Sequence, residues 1–184
     1  MNDPVCRYLS PDLTADLLAR WRQPHRRYHT VDHLSAVLQA VDVLVHDGVE
    51  FDREPVEIAA WFHDAVYEIG SSDNEERSAA LALSSLENTP TAAEAARLVR
   101  VTADHRPVGD DVNAAALCDA DLAVLAGTED EYATYADRVR DEYRAVPDDV
   151  LNAGRAQLLT HHARRGDAIS HLVRKGALGE PGPR

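Results

Sequence analysis

The sequence predicts a single all-α domain, and three observations carry that expectation. Apolar residues recur at three- and four-residue spacing through nearly every segment. No run alternates apolar and polar in the manner of a half-buried strand. Cap residues stand ahead of the periodic stretches and glycines behind them, at helix-length intervals. At 184 residues the chain fits one domain with a substantial core and no need of staples.

Ser10-Pro11 places an N-cap before a proline at the first helical position, and Leu13, Leu17, Leu18 and Trp21 continue as one apolar stripe. Thr30 or Asp32 opens a second helix, with Leu34, Val37, Leu38, Val41, Leu44 and Val45 at core spacing and Gly48 as its stop. Glu54-Pro55 starts a third, which carries Trp61-Phe62-His63-Asp64 and runs to about Tyr67. Gly70-Ser71-Ser72-Asp73 is a turn and cap for a helix containing Leu81, Leu83 and Leu86. Thr91 and Glu94 form a capping box for a helix ending near Asp104, and Arg106-Pro107-Val108-Gly109-Asp110 is a loop. Helices follow over roughly 112–125, 129–145 and 147–163, with a short one over 167–175. The domain is expected to span 1–175, and the glycine- and proline-rich 176–184 reads as a frayed tail.

Composition narrows the function. Acidic residues outnumber basic ones by 32 to 19, for a net charge of −13. That field repels nucleic acid polymers, but it admits a small phosphate ester where a bound cation reverses the local sign. Cys6 and Cys118 stand far apart with no metal-finger spacing, which points to a reducing compartment and two incidental thiols. No stretch has the length of a membrane span, and Met1-Asn2-Asp3-Pro4 lacks the basic and apolar parts of a signal peptide. The expected location is the cytoplasm, with no membrane partner. A homo-oligomer stays open, although no heptad seam supports one.

The chemistry starts at His63 and Asp64, an ionisable pair inside the apolar run Ala59-Ala60-Trp61-Phe62-His63-Asp64-Ala65-Val66-Tyr67. Burying imidazole and carboxylate together is costly unless each is hydrogen-bonded or bound to a cation. A metal ion meets both needs, since neutral imidazole and ionised carboxylate are ordinary ligands. Three other places put metal-type ligands beside apolar faces: His29 with His33, Asp104-His105, and Asp119 with Asp121. His29 and His33, four apart, can share one helical face. Taken alone, His63 would be a core histidine bonded to its neighbour, and Asp119 an N-cap.

The ordered set His33, His63-Asp64 and Asp121 resembles the H…HD…D signature of the HD-domain metal-dependent phosphohydrolases. The surroundings look like a narrower group, the small predicted metal-dependent HD phosphohydrolases. The matching blocks are Arg27-Tyr28-His29-x-x-x-His33-Leu34, Trp61-Phe62-His63-Asp64-Ala65-Val66-Tyr67 and Asp73-Asn74-Glu75-x-x-Ser78-Ala79. Thr102-x-x-His105, Asp119-Ala120-Asp121-Leu122 and Arg140-x-Glu142-Tyr143 complete them, so the resemblance covers about 27–155. It implies an all-helical HD bundle and a divalent metal ion, commonly manganese, magnesium, zinc, iron, cobalt or nickel. The implied metal ligands are His33, His63, Asp64 and Asp121, with Asp119 an N-cap or an acceptor that orients a ligand histidine.

Two histidines and two carboxylates leave positions for water and a substrate oxygen, unlike a closed structural zinc site. Asp64, His105 and Glu75 are the expected catalytic residues, with His105 a phosphate contact or general acid. Arg27, His29, Asp73 and Arg140 are expected at the substrate, Arg27 first because positive charge is scarce. Asp73 also suits an N-cap, and Arg140 and Arg155 suit surface ion pairs. His25, His46, His161, His162 and His171 have no partner at fixed spacing and read as surface residues, whereas Trp21 and Phe62 read as core. The expected function is hydrolysis of a nucleotide or another small phosphorylated metabolite by a metal-activated water. The alternatives are a non-catalytic metal- or nucleotide-binding sensor and a di-iron HD oxygenase, which would draw on His29 and His105.

Overall fold

The computed structural model describes residues 3–87, 89–153 and 156, and among these it is helical with no strand. Helix α1 (Pro11–Trp21) begins as expected, with the Ser10 hydroxyl accepting from the Leu13 N–H at N3. Its stripe of Leu17, Leu18 and Trp21 is buried. Helix α2 (Val31–His46) buries His33, Leu34, Val37, Ala40, Val41 and Leu44, and the chain turns away at Gly48 with φ of +77°.

Helix α3 (Arg53–Phe62) is the centre of the bundle. Every residue from Val56 to Phe62 is buried, and the helix packs against α2, α4 (Asn74–Ser85), α5 (Pro90–Val101) and α6 (Val112–Asp121). A helix buried all round is an interior one, and its buried charge, Glu57, is paired with Arg53 at 3.1 Å. Trp21 locks α1 to it by donating its indole N–H to the Trp61 carbonyl at 3.0 Å. After α6 a short 3-10 turn, Ala123–Ala126, leads to α7 (Glu129–Glu142), which opens on a full capping box between Thr128 and Glu131.

Five boundaries differ from the sequence expectation. α3 stops at Phe62, short of Tyr67, so His63 and Asp64 lie in a turn at the helix end and not within a helix. α5 is capped by Thr89 with Pro90 in its first turn, and Thr91 falls inside the helix. Glu94 is then free of capping duty and pairs with Arg97 and Asn113. That helix ends at Val101, and α6 ends at Asp121, so Asp119 lies inside a helix capped by Asp111 and is itself no N-cap. α7 ends at Glu142, and residues 148–153 are helical in turn. The expected segment 167–175, the tail 176–184, and Arg155, His161, His162 and His171 lie outside the described residues. Among the described residues no helix is long and apolar enough to cross a membrane.

The reassigned cap is directly testable. Thr89→Ala is expected to destabilise the protein by about 1 kcal/mol through loss of the bond to the Ala92 N–H. Thr91→Ala should change stability by less than about 0.5 kcal/mol. Urea denaturation of both variants checks the pair.

Candidate metal centre

Three elements converge to build the site. His33 stands in the first turn of α2, His63 and Asp64 in the turn that follows α3, and Asp121 is the last residue of α6. His33, His63 and Asp64 are buried, and the Asp121 side chain is 11 % exposed. The Nε2 atoms of His33 and His63 face each other at 3.3 Å. Asp121 Oδ1 lies 3.0 Å from the first and 3.5 Å from the second. Asp64 Oδ2 lies 3.2 Å from His63 Nε2 and 3.9 Å from His33 Nε2.

The turn that aims His63 and Asp64 is held by tertiary partners that take over where helical bonding stops. His63 Nδ1 donates to the Ala60 carbonyl at 2.8 Å, which fixes the tautomer and leaves Nε2 pointing into the cluster. The buried Arg26 guanidinium donates to the Asp64 carbonyl at 2.8 Å and reaches the Ala65 carbonyl at 3.5 Å. The Ser78 hydroxyl accepts from the Val66 N–H at 3.0 Å, and the Asn74 amide bonds both the N–H and the carbonyl of Glu68 at 2.9 Å. With these groups satisfied the chain can leave the helix without orphaned backbone atoms. On an ideal helix His63 and Asp64 would diverge by roughly a hundred degrees; the turn brings them to one point.

Around the cluster lie further expected residues. His105 donates from Nε2 to Asp121 Oδ2 at 2.7 Å, and it does so from a left-handed backbone, φ +52°. His29 turns Nε2 toward Asp64 Oδ2 at 4.0 Å, and its Nδ1 is bonded to Glu142. Trp21 packs against both imidazoles of the cluster, with ring centroids 6.2 Å from His33 and 5.3 Å from His63. Glu75 is half-buried in the first turn of α4.

Other expected contacts are engaged away from the cluster. Arg27 pairs with Asp141 at 3.1 Å, donates to the Pro24 carbonyl at 2.7 Å, and lines a cleft shared with Arg22, Asp32 and Arg138. Asp73 is exposed and turned toward Ser71 and Arg77. Arg140 caps the end of α7 through the Tyr143, Arg144 and Val146 carbonyls and pairs with Asp148 at 3.2 Å.

Of the residues that build the site, Arg26 was not singled out by the sequence, and Asn74, Ser78 and Glu142 stood in the matched blocks without a role. Glu142 offered a signal, an acidic residue at a helix C-terminus, where the dipole disfavours it. Arg26 offered another, as a cation directly ahead of the histidine block.

The electrostatics favour positive charge at the centre. Burial works against charging His63, yet Asp64 and Asp121 hold its pKa well above the ordinary histidine value. His33 moves down, because burial together with His63 and His29 outweighs Asp121. Burial would raise both carboxyls, but His63 and His29 hold Asp64 below the usual range, and His63, His105 and His33 do so for Asp121. Burial alone would lower His29; Asp64 and Glu142 raise it. Burial would likewise raise Glu142, and His29, the Arg27 N–H and the Tyr67 hydroxyl bring it down to about 2.

His33, His63 and Asp64 form a buried group that could hold a metal ion, each offering one ligand atom within 4.8 Å of the others. The donor chemistry fits: two imidazole nitrogens, that of His63 in a fixed tautomer, with carboxylate oxygen and no thiolate. Comparisons with protein-family models, curated proteins and solved structures gave no match.

A pH-dependent stability follows from Glu142. Unfolded, this carboxyl titrates near 4.5, so its depressed folded value stabilises the protein above that pH, and the contribution disappears as pH falls toward about 2. Glu142→Gln is expected to lose roughly 2 kcal/mol at neutral pH. The gap between wild type and variant should close across about pH 4.5 to 2, read by urea denaturation at stepped pH.

Proposed function

We propose that the protein is a divalent-metal-dependent hydrolase of a small phosphate ester, a nucleotide or another phosphorylated metabolite. It belongs, on this reading, with the HD-domain phosphohydrolases that its sequence resembles. One observation carries the reading. Two buried imidazole Nε2 atoms face each other at 3.3 Å, with an Asp64 oxygen 3.2 Å from that of His63 and an Asp121 oxygen 3.0 Å from that of His33. Neutral imidazoles at that separation oppose lone pairs unless a proton or a cation stands between them. Two carboxylates beside them favour a cation of higher charge.

His33, His63, Asp64 and Asp121 would hold the ion. When bound, such an ion supplies Lewis acidity toward a phosphoryl oxygen and an acidified water at neutral pH. The residues of the chain do the remaining work. Ala60 keeps His63 in the tautomer that offers Nε2. Asp121 is shared, one oxygen toward His33 and the other toward His105, so His105 places a proton-carrying nitrogen at the edge of the cluster. Trp21 and the interior face of α3 exclude water from behind, which strengthens every charge interaction within. The net charge of −13 supports a small ester over a nucleic acid polymer.

The experiment is metal analysis of protein prepared without chelator or nickel resin, joined to a phosphate-release screen across nucleotides and sugar phosphates. Chelation is expected to abolish release, and an added divalent metal to restore it. Asp64→Asn should cut both metal retention and turnover by at least about 100-fold, since changes outside the ligand shell alone reach 10- to 100-fold. The Asp64→Asn fold should survive, because the packing face of α3 is untouched. His46→Ala, on the exposed end of α2, should leave both unchanged. Turnover that persists after complete metal removal would refute the mechanism, and verified metal without any phosphate release would favour a sensor.

A further inference from the structure

Glu142 sits at the end of α7 with its side chain fully buried. Five groups donate to it. Oε2 accepts from the backbone N–H groups of Arg27 at 2.6 Å, Tyr28 at 2.9 Å and His29 at 3.2 Å. Oε1 accepts from the Tyr67 hydroxyl at 2.8 Å and from His29 Nδ1. A carboxylate has about four lone-pair directions, so this one is saturated.

His29 is therefore held twice by one residue, through its backbone and through its ring. Tyr67 packs on the ring with centroids 4.5 Å apart, and Tyr28 meets it edge-on at 4.9 Å. With Nδ1 committed, the ring presents Nε2 toward Asp64 Oδ2, 4.0 Å away. That distance is too long for a hydrogen bond. His29 is also not part of the compact group of His33, His63 and Asp64. The ring stands back from the cluster, placed to meet an oxygen brought to it.

A clamp on the 27–29 turn would need only Oε2, and a neutral amide oxygen would serve. The second oxygen is used on the ring of His29 and the tyrosine that packs against that ring. Removing this carboxylate from water is expensive, and here the expense coincides with one imidazole edge beside the cluster. We propose that Glu142 is a positioning residue that fixes His29 so that Nε2 meets a phosphoryl oxygen of the substrate at the His33–His63–Asp64–Asp121 cluster. The assignment rests on the phosphohydrolase reading for the identity of the ligand.

The test is a double-mutant cycle on the Mn²⁺-loaded full chain, with binding of inorganic phosphate read by calorimetry and Mn²⁺ affinity and Tm followed in parallel. His29→Ala and Glu142→Gln should each weaken phosphate binding about tenfold. Both should leave Mn²⁺ affinity within about twofold of wild type, and the double variant should be no weaker than His29→Ala alone. Glu142→Asp, which keeps the charge, should recover part of the loss. Where Glu142→Gln folds poorly, nitrogen-15 histidine spectra of the wild type decide, with a downfield proton expected on His29 Nδ1.

Independent, multiplicative losses would overturn the proposal. So would a fall in Mn²⁺ affinity as large as that of His33→Ala, or a His29 protonated at Nε2 alone. Mn²⁺-loaded wild type that binds no phosphate would overturn it as well. Wild type that hydrolyses no ester yet shows the non-additive cycle would sink the hydrolase reading and uphold the placement of His29 by Glu142.

Discussion

The rest of the structure depends on bringing two imidazoles and two carboxylates to one point inside an apolar bundle. Each group alone would be an unpaired polar side chain against Trp21 and the interior of α3, at a penalty of several kcal/mol. Together, with each carboxylate 3.0 to 3.9 Å from the two imidazole Nε2 atoms, they neutralise what each would suffer singly. The bundle is arranged to permit this. α2 presents His33 from its first turn, α6 ends on Asp121, and α3 stops at Phe62, immediately before His63 and Asp64.

Stopping α3 exposes backbone groups in the core, and most of the polar side chains beside the cluster answer to that. Arg26 takes the carbonyls of Asp64 and Ala65, while Ser78 and Asn74 take the groups of Val66 and Glu68. Arg26 is itself framed by aromatic rings, its guanidinium 5.4 Å from Trp21 and 5.1 Å from Tyr67. Burial lowers its pKa, and the pull of Asp64 and Glu142 offsets part of that. Glu142 does for the 27–29 turn what Arg26 does for the 63–65 turn. One buried ion of each sign thus holds the irregular backbone on either side of the cluster.

Periodicity made the helices legible, and α1 and α2 open at the residues their caps announce. The side chains that meet in the cluster were legible too, because histidine and aspartate are conspicuous in apolar surroundings. What could not be read was geometry set at long range. Nothing local stops α3 at Phe62, since no glycine or proline follows it there; the stop is made by Arg26, which lies 38 residues before Asp64. Glu142 is 113 residues from the ring it holds, so its role had no neighbouring pattern to announce it. The misplaced start of α5 is different in kind. Thr89-Pro90 was there to be read, and the apparent capping box two residues later competed with a proline whose fixed φ had already chosen the first turn.

The left-handed backbone of His105 sets stability against chemistry at a single residue. Glycine or asparagine would sit at φ +52° with less strain than an imidazole-bearing residue does. A redesign that scores only backbone conformation would therefore replace it. Such a change would erase the nitrogen that reaches Asp121 and leave that carboxylate short of a partner. Thermostabilising libraries of this fold should hold that position constant, because the substitution most attractive to the backbone is the one the site can least absorb.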